Sequence, residues 1–167
     1  MKKISPEKND RSRRARFMRE AIRLSRVMMK KGLGGPFGAV VVKGNAIIAR
    51  GWNQVTSTND PTAHAEMVAM RNACKKLKTF QLTGCELYTS CEPCPMCLGA
   101  IYWARPDKIY FACTKKDAAD IGFDDHFIYQ EIARPHGVRK LPQHPFMRPE
   151  GLKAFKEWKN KSNKIRY

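Results

Sequence analysis

Two short segments constrain this chain more than anything else in it: PTAHAEMVA, with His64 and Glu66, and TSCEPCPMCLGA, with Cys94 and Cys97. Two thiolates and one neutral imidazole are ligands that Zn²⁺ prefers, and three protein ligands leave the fourth tetrahedral position open, the arrangement of a catalytic rather than a structural site. If His64, Cys94 and Cys97 hold one ion per chain, the two segments must meet in space. Each ligand group also lies at the start of a predicted helix, where unpaired backbone N–H groups and the helix dipole favour thiolate and hydroxide. His64 and Glu66 are two residues apart and share a site only if their helix meets it nearly end-on. Both helices are therefore expected to aim their N-termini at the metal.

The remaining pattern supplies a frame for that meeting. Phe17, Ala21, Leu24 and Met28 recur at helical spacing between Arg11 and Lys31, and Gly32 follows where a C-terminal cap is expected. GAVVVKGNAIIARGWN reads as two strands joined by a hairpin at Lys43-Gly44-Asn45, and residues 64–78 as a helix. ELYTS (86–90) and KIYFAC (108–113) read as strands around a mostly apolar helix over 94–104, so part of the sheet is expected to be parallel. FDDHFIYQEI and EGLKAFKEWKNK read as further helices, with an irregular proline-rich stretch between them.

A chain of 167 residues with 43% hydrophobic composition fits one domain that buries a core unaided. Six cysteines are too few for a disulfide scaffold of this length, and the Cys94–Cys97 pair reads as metal chemistry in a reducing compartment. The N-terminus has no long apolar run, so neither a secretory signal nor a membrane span is expected there, and the expected location is cytoplasmic. The net charge of +17 lies at the ends: residues 1–31 hold 12 basic and 3 acidic groups, and residues 132–167 hold 10 and 2. A charge run of this kind is first a solvated face; nucleic-acid binding through it would be weak and non-specific.

The open fourth position polarises a water towards hydroxide, and Glu66 is the natural acceptor of its proton. Other readings of the cysteines exist. A lone C-x-x-C also serves redox pairs and structural half-sites, and Cys91 is spaced to complete a closed Cys₃His site that would leave Glu66 without a role. Cys74, Cys85 and Cys113 read as small hydrophobes in or beside predicted elements, and His136 and His144 as surface residues.

H-x-E followed by P-C-x-x-C is the signature of the zinc nucleobase deaminases. Within that superfamily the sequence resembles the bacterial guanine deaminases through GGPFGAVVV (34–42), NDPTAHAE (59–66), LYTSCEPCPMCLGAIYWARP (87–106), DAADIGFDDHFIYQEI (117–132) and the terminal Tyr167. The basic extension 1–16 departs from the family; over residues 17–167 the resemblance implies a three-layer α-β-α fold, a five-stranded mixed sheet between helices. It implies zinc-dependent hydrolysis of guanine to xanthine and ammonia, with Glu66 and Asp125 as catalytic groups and substrate contacts at Phe37, Ala65, Asn53, Asp125 and Tyr167. It further implies a homodimer that exchanges its C-terminal segment, in which Leu152, Phe155 and Trp158 offer an apolar face.

Read without the resemblance, Asn53 caps a turn, Phe37 belongs to the core, Asp124 or Asp125 caps a helix, and Tyr167 is a frayed end. Two further functions stay open. A tRNA adenosine deaminase shares the HAE and PCxMC motifs and needs a basic surface, whereas a nucleic-acid-binding module with a structural zinc would have no use for an intact H-x-E opposite an open site.

Overall fold

The computed structural model describes residues 6–166, so Tyr167 lies outside the described residues. Two compact units divide the chain, one ending at Asp125 and the other beginning at His126.

The first unit is built on one sheet. Helix α1 (Pro6–Lys30) is followed by β1 (Gly38–Lys43), β2 (Ala46–Trp52), the single turn α2 (Val55–Thr58), α3 (Ala65–Leu77), β3 (Cys85–Cys91), α4 (Pro95–Ala104), β4 (Lys108–Cys113) and the short α5 (Lys115–Ala119). The strand order is β2-β1-β3-β4; β1 runs antiparallel to β2 and β3, and β3 parallel to β4. Gly44-Asn45 closes the expected hairpin, with Gly44 at a φ of 57°.

Strand alternation divides the core into two layers. Ala39 and Val41 of β1 and Cys85 and Leu87 of β3 pack with Ala65, Ala69, Met70 and Ala73 of α3 and with Ile101 and Ala104 of α4. Val40, Val42 and Tyr88 point to the opposite face and pack with Phe17 and Leu24 of α1. These are the three layers expected. Helix α3 lies so close to β2 that a Cβ at Gly51 would stand 2.3 Å from the Ala65 carbonyl oxygen, so only glycine fits there.

The sheet has four strands rather than the five implied by the resemblance. After Cys113 the chain turns helical, because Thr114 and Asp117 form a capping box: the Thr114 amide donates to the Asp117 carboxylate at 2.7 Å, and the Asp117 amide donates to the Thr114 hydroxyl at 3.4 Å. Helix α1 begins at Pro6 and runs unbroken through position 16.

The second unit holds α6 (His126–Ala133), a 3₁₀ turn (His136–Val138) and α7 (Arg148–Asn160). Arg139 donates to the Ile132 and Arg134 carbonyl oxygens, both at 3.0 Å, which ties the proline-rich connection to the end of α6. No residue of α6 or α7 is buried. Among the described residues no helix is long and apolar enough to cross a membrane.

Candidate metal and deaminase site

The site forms at the edge of the sheet where β2 and β3 end and α3 and α4 begin. His64 is the N-cap residue of α3 and Cys94 that of α4, each with extended backbone and no side-chain capping bond. Polar residues usually cap a helix with their own side chains; here the side chains are left for another partner. Asp60 shapes the approach to His64 by accepting from the Thr62 amide at 2.8 Å and its hydroxyl at 2.7 Å. Pro95 fixes the first turn of α4.

The three sequence-predicted ligands converge. Cys94 Sγ lies 3.5 Å and Cys97 Sγ 3.6 Å from His64 Nδ1, and the three ligand atoms are within 4.8 Å of one another. Tetrahedral zinc with bonds of about 2.0 Å to nitrogen and about 2.3 Å to sulfur separates these atoms by about 3.5 Å. The donor set therefore fits the ion in both chemistry and spacing. Cys94 is held down to about 4 by its hydrogen bond with Cys97, with His64 alongside, and the same bond together with burial pushes Cys97 upward. The hydrogen bond to Cys94 raises His64 against the opposing effect of its burial.

Cys91 stands apart from this group. Its thiol donates to the Thr114 carbonyl oxygen at 3.5 Å, and burial pushes it up to about 12, so it is a neutral, partnered thiol rather than a fourth ligand.

Glu66 is 6% exposed. Its Oε1 accepts from the Thr89 hydroxyl at 3.0 Å, and its Oε2 faces Cys97 Sγ at 3.5 Å. Burial raises its proton affinity, which the Thr89 hydrogen bond opposes. Ala65, next in the chain to His64, is fully buried.

Asn53, just beyond β2, is buried as well. Its Oδ1 accepts from the Gly35 amide at 3.2 Å and the Val55 amide at 3.3 Å, leaving the amide N–H groups for a ligand. The turn-capping bonds thus use only the Oδ1 end of the side chain. Phe37 is half-buried and meets Phe123 edge-on, with ring centroids 4.9 Å apart. Asp125 is partly buried, and its proton affinity is raised first by desolvation and then by the Cys94 charge.

Sequence reasoning passed over Thr89 and Phe123. Thr89 carries a signal: it is polar at a position of β3 whose alternation points it with Leu87 towards α3. Phe123 carries none beyond its place in GFDD.

The family profile of the cytidine and deoxycytidylate deaminase zinc-binding region matches residues 11–113. This chain belongs to that family. Zinc is accordingly the metal that this deaminase holds. The chain is 54% identical to the guanine deaminase of Bacillus subtilis over 151 residues, 90% of this chain and 97% of that one. The crystal structure of the Bacillus subtilis guanine deaminase superposes with a TM-score of 0.89 over 92% of this chain and 98% of that one. A solved guanine deaminase from Nitrosomonas europaea is 33% identical, with a TM-score of 0.63 over 83% of this chain and 70% of that one. The tRNA-specific adenosine deaminase of Aquifex aeolicus is 43% identical over 100 residues, 60% of this chain and 66% of that one.

Proposed function

We propose that this protein hydrolyses guanine to xanthine and ammonia. The observation that carries the reading is the extent of the likeness: the guanine deaminase match takes in 90% of the chain, whereas the tRNA adenosine deaminase match stops at 60%.

In the reaction water adds to C2 of guanine, the C2–N bond to the exocyclic amine breaks, and ammonia leaves. Zinc in the His64–Cys94–Cys97 site supplies Lewis acidity for the attacking water. Glu66 accepts a proton from that water and delivers it to the ring nitrogen beside C2, then takes the proton of the hydroxyl added at C2 and passes it to the departing amine. Its burial suits a group that must exchange protons rather than remain a fixed anion. The N–H groups of Asn53 donate along the acceptor edge of the purine, the Phe37 ring offers a face for stacking, and Asp125 accepts from a purine N–H or relays a proton. Ala65 stands between the metal ligand and Glu66, and its backbone borders the base.

A homodimer with exchanged C-terminal segments completes the reading, with Tyr167 of one chain reaching the other's pocket. The apolar side chains that the chain leaves uncovered support it: Phe155 and Trp158 of α7 are 74% and 46% exposed. Exchange of an identical element is an economical route to a symmetric dimer.

Ammonia release from guanine, adenine, cytosine and guanosine by the zinc-loaded protein tests the function. Turnover is expected on guanine. Editing of a tRNA anticodon stem-loop without guanine turnover would overturn it.

A further inference from the structure

The charge of the first helix is arranged rather than diffuse. Arg16, Arg19 and Arg23 follow one another at helical spacing on one face of α1, beside Arg50 of the edge strand β2. Together with Glu20, Asn45, Phe17 and Ile47 they line an open cavity of about 540 Å³, a size within the usual range for small-molecule sites. Four arginines and a single carboxylate line it. None of these residues belongs to the candidate zinc site.

A solvated charge run would leave such side chains loose. Instead, Arg16 donates to the Asn45 carbonyl oxygen at 2.8 Å and to its side-chain oxygen at 3.0 Å, and its guanidinium lies 4.7 Å from the centroid of the Phe17 ring. Arg23 and Arg50 are both fixed on Glu20, each with an Nε contact at 2.7 Å. An arginine has five N–H donors, so these anchors leave most of them unused. Groups already ordered lose little entropy when an anion arrives.

We propose that this cavity binds a linear oligophosphate, the phosphate chain of a nucleoside polyphosphate or its inorganic equivalent, through Arg16, Arg19, Arg23 and Arg50. Planar guanidinium forks match phosphate oxygens. The helix rises about 10 Å between Arg16 and Arg23, the reach of a short phosphate chain. Nothing in the lining reads a base: Phe17 is buried beneath Arg16, and no aromatic face is open for stacking. Single-stranded nucleic acid relies on such faces, so the cavity selects by phosphate number instead.

Calorimetric titration of the zinc-loaded protein with inorganic tripolyphosphate, pyrophosphate and phosphate at one ionic strength tests the site. Saturable binding of one tripolyphosphate per chain is expected, weakening in that order, with GTP and ATP alike. Arg16→Gln with Arg19→Gln should weaken tripolyphosphate by about tenfold or more, since two charge-assisted contacts go. Arg19→Gln alone, at an exposed side chain, should weaken it measurably with melting temperature and zinc content unchanged. Lys156→Gln with Lys159→Gln removes the same charge from α7 and should leave binding intact; an equal loss there would mean a diffuse field and overturn the site. Absence of saturable binding would overturn it too, as would a single-stranded oligonucleotide that tripolyphosphate cannot displace.

Discussion

The hydroxyl of Thr89 donates to Glu66 Oε1 at 3.0 Å from a side chain that is 1% exposed. The carboxylate is thereby held at a fixed angle above Cys97 by a strand rather than by a loop. A hydrogen bond to a charged group contributes about 1.5–3 kcal/mol, so with Glu66 as the proton carrier its loss lowers kcat by roughly ten- to a hundredfold. Thr89→Val should show that loss with zinc content and KM near wild type, whereas Thr89→Ser should retain most of the activity. Equal kcat in Thr89→Val and wild type would mean that Glu66 is positioned by other contacts.

Metal loading separates the cysteines. Cys94→Ser and Cys97→Ser each remove one of three candidate ligands and should lose zinc, whereas Cys91→Ser, whose thiol serves the Thr114 carbonyl, should retain it. Elemental analysis of the three purified variants checks this. Zinc missing from Cys91→Ser alone would require a different ligand set.

Glu66→Gln should keep fold and zinc yet lose several orders of magnitude in turnover, because the amide is nearly isosteric and cannot accept the proton. Retained activity within about tenfold would assign proton transfer to another group, with Asp125 the next candidate.

Acid sensitivity has a defined contribution from Glu20. Hydrogen bonds from Arg23, and then Arg50, hold its carboxyl at about 2, below the ordinary 4.5. A depressed carboxyl stabilises the folded chain above its unfolded pKa, and that stabilisation fades as pH falls towards the folded value. Glu20→Gln should therefore be less stable than wild type at neutral pH, with the difference shrinking below pH 4.5 and gone near pH 2. Denaturant titrations of both proteins across that range measure it, and acid loss of zinc cancels in the difference. A gap independent of pH would assign the effect to packing.

The candidate metal group was legible in the sequence because its residues sit in short motifs whose residue types admit few uses. Helices α1, α3, α4 and α7 and strands β1 to β4 follow from periodicity for the same reason. What the sequence did not reveal depends on contacts between distant segments. The exclusion of Cys91 rests on the Thr114 carbonyl, the packing of Phe37 rests on Phe123, and the start of α5 directly after β4 rests on a capping box at Thr114. The arginines of α1 read as a solvated face until Glu20, Asn45 and Arg50 came beside them.

Gly34 provides a test of substrate positioning without touching any reactive group. Its φ of 147° is one that residues with a Cβ rarely adopt, and a Cβ there would stand 1.8 Å from the Asn53 carbonyl oxygen and 3.0 Å from its Oδ1. The next residue, Gly35, donates its amide to that same Oδ1. Alanine at position 34 must therefore push the loop and Asn53 apart, breaking the Gly35 contact that orients the Asn53 side-chain amide. His64 and Cys94 lie at the starts of α3 and α4 and Cys97 within α4 rather than on this loop, so Gly34→Ala should keep its zinc. Its KM for guanine should rise about tenfold or more, the effect of losing one binding hydrogen bond together with some orientation. Unchanged kinetics in a folded, zinc-loaded Gly34→Ala protein would remove Asn53 from the purine site and leave it only its role in the turn.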